Sequence, residues 1–321
     1  MSETKTKTTL DQLKKHTTVV ADTSDFELLE KYKPEDATTN PSLILKASQN
    51  EKYKDLIDEA ILFGKSQISK NTLEIIAIKL FVNFGIEILK KIPGRVSIEV
   101  DAKYSFDTEK SVEIAKLIIS LFEKNGIDRE RILIKLATTF ESIKACAILE
   151  KENIHCNMTL LFSLPQAIGA ADAKATLISP FVGRILDWHK TNHKKEYLSH
   201  EDPGVLSVTN IFNYFKKFDI KTQIMGASFR NAQEVIELTG CDLLTISPNL
   251  LEELQTADRE IEKKLDPKTS KAMEIDKILF DEKTFRYLLN QDAMATEKLS
   301  EGIRKFEIDL NKIKDLIKIK I

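Results

Sequence analysis

The 321-residue sequence contains few of the residues that mark several common protein classes. It has one tryptophan, ten glycines and three cysteines, Cys146, Cys156 and Cys241. An odd number of cysteines without CxxC spacing predicts buried thiols in a reducing compartment and indicates neither disulfides nor a zinc site. The scarcity of glycine argues against a glycine-rich nucleotide loop, and the sequence has neither a Walker A nor a GxGxxG motif.

The chain also lacks an excess of charge and a long apolar run. Its 48 basic and 50 acidic residues give a formal net charge of -2, which creates no field that would hold nucleic acid or an anionic membrane. No stretch approaches the roughly 20 apolar residues of a membrane span, and the first residues lack the apolar centre of a signal peptide. We therefore expect a cytoplasmic protein without nucleic-acid or membrane partners.

Short apolar or β-branched runs recur along the chain and predict buried parallel strands. They cover residues 19–22, 96–100, 132–136, 157–162, 177–182, 222–228 and 243–247, and residues 37–40 are a weaker eighth candidate. Amphipathic stretches such as residues 108–125, 141–152 and 231–238 separate them. Eight strands that alternate with crossover helices favour an α/β fold, a closed (β/α)8 barrel formed by residues 1–321 as one domain.

Two regions hold more helix than the barrel needs. Between Pro41 and Pro93, helical patterns over residues 42–47, 53–63 and 73–89 predict an insertion before the third strand. From about residue 249, further helices follow the last strand. The final helix carries apolar residues at a three-four spacing, namely Leu299, Ile303, Phe306, Leu310, Ile313 and Ile317. This stripe predicts that the C-terminal helix packs on the barrel.

Lys135 is the only charged residue in the apolar run ILIKLA, residues 132–137. In a barrel, the carboxyl ends of the strands form the catalytic face. Burial at that face penalises the ammonium and leaves a fraction of the amine free to attack a carbonyl. The alternative is a structural lysine whose ammonium extends to solvent.

Other strands carry polar residues that should share the face of Lys135. The two-residue strand period groups Ser97, Glu99 and Asp101 on one strand and Asn157, Thr159 and Leu161 on another, while Asp22 ends the first strand. Because apolar helices cover the outside of a barrel, these polar faces should point inward. Alternatively, Asp22 or Asp25 caps the next helix, and Glu99 pairs with a buried base.

Two segments that follow strands combine a small or hydroxyl residue with an arginine. Residues 179–184 end in Arg184, and residues 226–230 end in Arg230. Arginine and backbone N–H groups at this face suit a phosphate monoester, although either arginine could form a surface ion pair instead. His189 and His193 are four residues apart, but the sequence offers no nearby carboxylate to complete a zinc site.

Several motifs together resemble those of the transaldolases. They are VVADT (residues 19–23), DATTNPSLI (36–44), ILIKLA (132–137) and CNMTLLFS (156–163), in matching order and spacing. The resemblance continues through ISPFVGRI (178–185), MGASFR (225–230) and EGIRKF (301–306), so it covers nearly the whole chain. It implies a barrel of the class I aldolase type that forms a homodimer and uses neither a metal nor a cofactor.

The resemblance also implies a reaction on sugar phosphates. Transaldolases reversibly transfer a dihydroxyacetone unit from sedoheptulose 7-phosphate to glyceraldehyde 3-phosphate, which yields erythrose 4-phosphate and fructose 6-phosphate in the non-oxidative pentose phosphate pathway. By this resemblance Lys135 forms the Schiff base, Asp22 takes the proton of the C4 hydroxyl, and Glu99 and Thr159 hold the water that assists dehydration of the carbinolamine. The implied substrate contacts are Thr38, Asn40, Asn157, Ser179 and Phe181, and the implied phosphate contacts are Arg184, Ser228 and Arg230.

Two other functions remain as alternatives. A fructose 6-phosphate aldolase, which releases free dihydroxyacetone, has the same barrel and lysine, but the additional helices resemble those of the long transferases. A non-catalytic sugar-phosphate-binding barrel would not need Asp22, Glu99, Lys135 and Thr159 together. The release of product without an acceptor distinguishes the first alternative, and turnover distinguishes the second.

Overall fold

The computed structural model describes residues 7–67 and 71–321, and at its centre eight parallel strands form a closed barrel. The strands are β1 (Thr18–Asp22), β2 (Asp36–Thr38), β3 (Val96–Glu99), β4 (Ile132–Ala137), β5 (Cys156–Leu161), β6 (Leu177–Pro180), β7 (Gln223–Gly226) and β8 (Leu243–Ile246). They follow one another around the barrel in chain order, and β8 pairs with β1 to close it. The (β/α)8 prediction is therefore confirmed, including its weakest strand, β2.

Helices surround the barrel and also form the two predicted additions. Over the described residues the helices are α1 (Thr9–Leu13), α2 (Phe26–Tyr32), α3 (Pro41–Ser48), α4 (Lys54–Ser66), α5 (Thr72–Leu89), α6 (Thr108–Glu123), α7 (Phe140–Lys151), α8 (Leu164–Asp172), α9 (Gly183–His193), α10 (Pro203–Lys217), α11 (Ala232–Glu237), α12 (Pro248–Thr256), α13 (Pro267–Ala272), α14 (Glu282–Gln291) and α15 (Ala293–Lys320). The insertion before β3 consists of α3, α4 and α5, and α12 to α15 follow β8. None of these helices is both long and apolar enough to cross a membrane.

Successive side chains along each strand point alternately to an apolar layer outside the barrel and to its interior, where a separate apolar cluster lies. The outward-facing residues, such as Val19, Ile98 and Ile134, join the large core between the strands and the helices. Inside the barrel, five buried residues from different strands form their own cluster, namely Val20, Leu133, Leu177, Met225 and Leu243. This inner cluster is the floor on which polar side chains nearer the carboxyl ends of the strands can be arranged.

A bulge in β5 changes the predicted faces of that strand. The pairing of β5 with β6 shifts register between Met158 and Leu161, and Leu160 has a left-handed φ of 48°. Because one residue is inserted, Leu161 packs in the outer core and does not share the inner face of Thr159. The prediction for Leu161 was therefore wrong.

The prediction for Asp101 was also wrong, because β3 ends before the strand period reaches it. Asp101 caps a 3-10 turn, where its side chain accepts a hydrogen bond from the Lys103 N–H at 3.1 Å. Its other carboxylate oxygen lies 3.0 Å from the ammonium of Lys314 in α15. Asp101 thus connects the barrel rim to the C-terminal helix and does not join the polar interior.

The C-terminal helix α15 packs as its apolar stripe predicted. All six stripe residues, from Leu299 to Ile317, are buried. A Cβ atom at Gly302 would lie only 2.6 Å from Leu160 Cδ2, so glycine permits the close approach of α15 to the bulge in β5. The hydroxyl of Ser42 in α3 donates to Asp309 at 2.5 Å and fixes the next turns of the helix. The three cysteines are buried as expected.

Candidate active site

A cavity of about 100 Å³ opens at the carboxyl ends of the strands. Its lining residues are Asp22, Thr38, Asn40, Lys135, Thr159, Ser179, Phe181, Arg184, Ala227, Ser228, Thr245 and Phe306. All the predicted site residues belong to this lining except Glu99, Asn157 and Arg230. We call this cavity the central pocket.

The strand period explains why polar groups meet in the central pocket. Five of its lining residues lie two positions after the members of the inner apolar cluster, on the same strand or directly after it, namely Asp22, Lys135, Ser179, Ala227 and Thr245. Since side chains two positions apart share one face, these residues stand directly above the apolar floor. The same alternation that fills the barrel therefore builds its site.

Lys135 lies in the barrel interior and is only 5% exposed. In the strand register its neighbours are Glu99 on β3 and Asn157 on β5. Its Nζ donates a hydrogen bond to the carbonyl oxygen of Thr39 at 2.9 Å and lies 3.3 Å from Glu99 Oε2. The ammonium thus does not extend to bulk solvent, and Lys135 is not the solvent-exposed structural lysine of the alternative interpretation.

Two polar atoms around Lys135 have no hydrogen-bond partner in the described part of the chain. They are Glu99 Oε2, which lies at ion-pair distance from Lys135 without hydrogen-bond geometry, and Thr159 Oγ1. Burial raises the pKa of the Glu99 carboxyl, although the positive charge of Lys135 opposes that change. A buried polar atom without a partner is costly, so both atoms are suited to contact a polar substrate.

Asp22 is held by a chain of hydroxyl groups. Thr38 Oγ1 donates to Asp22 Oδ1 at 2.8 Å, and Thr245 Oγ1 lies 2.7 Å from Thr38 Oγ1. The hydroxyl of Thr38 has one proton, which it uses in the hydrogen bond to the carboxylate. Thr245 must therefore be the donor in its hydrogen bond with Thr38. Burial raises the pKa of Asp22, while Lys135 and the Thr38 hydrogen bond oppose the rise. The helix-capping role belongs to Asp25, which accepts from the Glu27 N–H at 3.1 Å.

Thr245 was not predicted as a site residue, although the sequence contained a signal for it. It is the only polar residue of β8, in the run LLTI, just as Lys135 is the only charged residue of its strand. The pattern that identified Lys135, an isolated polar residue in an apolar strand, therefore also marks Thr245.

Asn157 does not belong to the lining of the central pocket but orients Ser179, which does. Its Nδ2 donates to Ser97 Oγ at 3.1 Å, and its Oδ1 accepts a hydrogen bond from Ser179 Oγ at 2.5 Å. The side chains of Asn157 and Ser179 are therefore fixed before any ligand binds. Asn40 has two roles, because it lines the pocket while its Oδ1 caps α3 by accepting from the Leu43 N–H at 3.0 Å.

Arg184 extends into the central pocket between two aromatic rings. Its guanidinium carbon is 4.9 Å from the ring centre of Phe181 and 5.6 Å from that of Phe306. Burial and, secondarily, the charge of Arg230 lower the pKa of Arg184. Within residues 7–67 and 71–321, no carboxylate forms a salt bridge with this guanidinium, and those of Glu301, Glu99 and Asp187 oppose the lowering of its pKa only at longer range.

Ser228 stands across the pocket rim from Arg184 in a left-handed conformation, with φ of 60°. Its carbonyl oxygen accepts a hydrogen bond from the Gly183 N–H at 2.8 Å. A Cβ atom at position 183 would lie 2.5 Å from that oxygen, so a glycine is required where the two rim segments approach. The contact fixes the start of α9, which carries Arg184, against the segment that carries Ser228.

Arg230 occupies a different environment from Arg184. Its guanidinium forms a bidentate ion pair with Asp187, with Nη2 to Oδ2 at 2.7 Å and Nε to Oδ1 at 3.2 Å. The Arg230 side chain is 40% exposed, and its Nη1 lies 3.5 Å from Ser228 Oγ. Arg230 is therefore close to the pocket but engaged in the surface ion pair that was the alternative prediction.

One group of side chains outside the pocket could offer metal ligands in the described part of the chain. Cys146, Glu150 and Cys156 have ligand atoms within 4.8 Å of one another. However, Glu150 already accepts hydrogen bonds from the backbone N–H groups of Cys156 at 2.8 Å and Thr176 at 2.6 Å. Burial raises the pKa of the Cys156 thiol well above its ordinary range, which disfavours the thiolate that a metal needs.

Comparison with known proteins identifies the family of the chain. The model of the family described as transaldolase/fructose-6-phosphate aldolase matches residues 19–317. The chain is 57% identical to a transaldolase of Protochlamydia amoebophila, with 97% of this chain and 98% of the relative covered. It is 56% identical to a probable transaldolase of Drosophila melanogaster (96% and 95% covered) and 56% identical to a transaldolase of Homo sapiens (96% and 93% covered). The chain therefore belongs to the transaldolase/fructose-6-phosphate aldolase family.

Proposed function

We propose that this chain catalyses the transaldolase reaction, with Lys135 as the Schiff-base residue. The reaction reversibly moves a dihydroxyacetone unit from sedoheptulose 7-phosphate to glyceraldehyde 3-phosphate and yields erythrose 4-phosphate and fructose 6-phosphate. The observation that supports it best is the position of Lys135, an amine held in the barrel interior beside a carboxyl group and open to the central pocket. The names of the relatives point to the same reaction.

In the first step the Lys135 amine attacks the ketone carbon C2 of the donor sugar. Glu99, 3.3 Å from the amine, is placed to receive the proton that the nitrogen loses. Glu99 and the free hydroxyl of Thr159 would then hold the water that carries protons during dehydration of the carbinolamine. The product is a protonated imine, which can accept an electron pair from the neighbouring carbon.

Asp22 would then take the proton of the C4 hydroxyl. As that oxygen forms a carbonyl, the C3–C4 bond breaks and its electron pair moves into the imine to give an enamine on Lys135. The aldehyde fragment leaves, and the enamine carbon attacks the carbonyl of the acceptor aldehyde by the reverse steps. The hydrogen bonds from Thr245 to Thr38 and from Thr38 to Asp22 orient the carboxylate for this transfer.

The remaining pocket residues would bind the substrate. We assign the hydroxyl groups of the three-carbon unit to Asn40, Asn157 and Ser179, with Phe181 as the apolar wall. We assign the phosphate to Arg184, Ser228 and Arg230. Arg184 is the second residue of α9, so a phosphate bound there also lies near the partial positive charge of the helix N-terminus.

We also propose that the protein acts as a single-domain homodimer in the cytoplasm, as the resemblance to transaldolases implies. Light scattering at micromolar concentration should give a molar mass twice that of one chain. A monomer mass over the whole working range of concentration would contradict the dimer.

The reaction and the role of Lys135 can be tested together. The purified protein should convert fructose 6-phosphate and erythrose 4-phosphate into sedoheptulose 7-phosphate and glyceraldehyde 3-phosphate, and it should release little dihydroxyacetone when the acceptor is omitted. Borohydride added with fructose 6-phosphate should trap a three-carbon unit on Lys135, as measured by peptide mass spectrometry. Lys135→Met should lower kcat by about a thousandfold or more, because no other lysine among the described residues lines the central pocket and could replace the nucleophile.

Lys79 provides a matched control for that experiment. It is also 5% exposed, but it lies on α5 and pairs with Glu59 at 2.9 Å, outside the central pocket. Lys79→Met should remain active and should still be labelled at Lys135. Label on another lysine, or an active Lys135→Met variant, would refute the assignment, whereas release of dihydroxyacetone at the full rate without acceptor would identify an aldolase.

The pH profile tests the role of Asp22. Because burial raises its pKa, the acid limb of kcat/KM should lie above the ordinary range of an aspartate, and activity should be lost as the pH falls through that pKa and the carboxylate becomes protonated. Thr38→Val removes a hydrogen bond that stabilises the carboxylate, so the limb should move to higher pH. Thr245→Val acts one hydrogen bond further away and should move it less. An acid limb that stays in place in Thr38→Val would exclude Asp22 as its origin.

The phosphate assignment predicts unequal effects of the two arginines. Arg184→Ala should lower kcat/KM for fructose 6-phosphate about ten- to a hundredfold, since a charge-assisted contact is lost. Arg230→Ala should cost less, because Asp187 already occupies its guanidinium. Turnover of unphosphorylated fructose should fall much less in both variants. Equal losses for the two sugars would mean that the arginines act on the structure and not on the phosphate.

A further inference from the structure

Arg184 differs from five other arginines of the chain in what holds its guanidinium. Four arginines pair with a carboxylate, at distances between 2.6 and 2.9 Å, namely Arg95, Arg129, Arg230 and Arg286. Arg131 donates instead to backbone carbonyl oxygens, including that of Ile92 at 2.7 Å. Arg184 lies between the rings of Phe181 and Phe306 and has no such carboxylate among the described residues.

The two rings come from distant parts of the chain. Phe181 directly follows β6, whereas Phe306 lies near the middle of α15. Phe306 is only 3% exposed and belongs to the same apolar cluster as Phe181, Leu160 and Ile303. Its position is fixed on one side by the close approach of Gly302 to Leu160 and on the other by the hydrogen bond between Ser42 and Asp309.

We propose that Phe306 is a positioning residue that, with Phe181, holds the Arg184 guanidinium in place for the phosphate of the substrate. This inference rests on the proposed function and extends it to the C-terminal helix. The face of an aromatic ring attracts a cation but presents no hydrogen-bond acceptor comparable to a carboxylate. The N–H donors of Arg184 therefore stay available for phosphate oxygens, because the carboxylates of Glu301, Glu99 and Asp187 act on its charge only from beyond salt-bridge distance.

A carboxylate in the place of the ring would act in the opposite way. It would bind the guanidinium more directly but would compete with the phosphate for the same donors, as Asp187 does at Arg230. It would also repel the incoming anion. The aromatic ring thus restricts the motion of Arg184 without occupying the groups that recognise the phosphate.

The main competing explanation is that Phe306 only fills apolar space above the pocket. Phe306→Leu separates the two explanations, because leucine keeps the apolar character but lacks a ring. Phe306→Tyr keeps the ring face. Ile303→Val is the matched control, since Ile303 lies on the same helix and in the same cluster but does not line the central pocket.

Two measurements are needed for each variant. Calorimetric titration with inorganic phosphate reports binding at Arg184 without any turnover, and steady-state kinetics with fructose 6-phosphate and with unphosphorylated fructose report KM and kcat separately. Phe306→Leu should weaken phosphate binding and raise KM for fructose 6-phosphate about three- to thirtyfold, the range expected for a partly buried cation–ring contact. Its kcat should change less than about twofold, and fructose turnover should stay near the wild-type value.

Phe306→Tyr and Ile303→Val should bind phosphate nearly as the wild type does. Equal losses for fructose and fructose 6-phosphate, or wild-type phosphate affinity in Phe306→Leu, would overturn the proposal. If Phe306→Leu fails to fold by its melting curve, Phe306→Met provides a second ringless variant of similar volume, to which the same criteria apply. A wild-type protein that binds phosphate through this contact but transfers no dihydroxyacetone unit would refute the proposed function and leave the role of Phe306 intact.

Discussion

The buried pair of Lys135 and Glu99 is the interaction on which the rest of the site depends. Removing two opposite charges from water costs several kcal/mol for each ion, and a mutual distance of 3.3 Å offsets only part of that cost. The parallel register of β3 and β4 places the two residues side by side, so the barrel itself maintains the pair. A shift of either strand by one residue would turn its charge toward the apolar outer core, and the register is therefore strongly determined.

In the barrel interior, the apolar residues that stabilise the fold and the polar residues of the candidate site lie at different depths. The floor of Val20, Leu133, Leu177, Met225 and Leu243 excludes water from below, and the polar groups stand one strand period above it. At that level burial raises the pKa values of Asp22 and Glu99, because the charged forms lose hydration. The same packing that stabilises the barrel thus makes both carboxyl groups better able to accept and return a proton than an exposed carboxylate would be.

The sequence predicted the parts of the site that depend on strand period and missed those that depend on irregular geometry. Lys135 was recognisable because it interrupts an apolar strand, and Thr159 because the two-residue period places it on the same face as Asn157. Leu161 was placed on the wrong face, since nothing in the run TLLF indicates that Leu160 adopts a left-handed conformation. The ion pair of Arg230 with Asp187 depends on how α9 packs against the segment after β7, which one sequence does not specify. The apolar stripe predicted that Phe306 would be buried, but not that it would reach the pocket.

The contrast between Arg184 and Arg230 bears on the proposed phosphate site. An arginine that is partly buried without a carboxylate is electrostatically unfavourable, and burial accordingly lowers the pKa of Arg184. The rings of Phe181 and Phe306 compensate only part of the lost hydration, and the carboxylates of Glu301, Glu99 and Asp187 stabilise the guanidinium only from beyond salt-bridge distance. A phosphate that enters the pocket would supply that charge, and it would not need to displace another anion first. Arg230 is half-exposed and already paired with Asp187, so its contribution to phosphate binding should be smaller than that of Arg184. On the proposed role of Phe306, the packing of α15 against the barrel would contribute to phosphate affinity through the environment that it creates around Arg184.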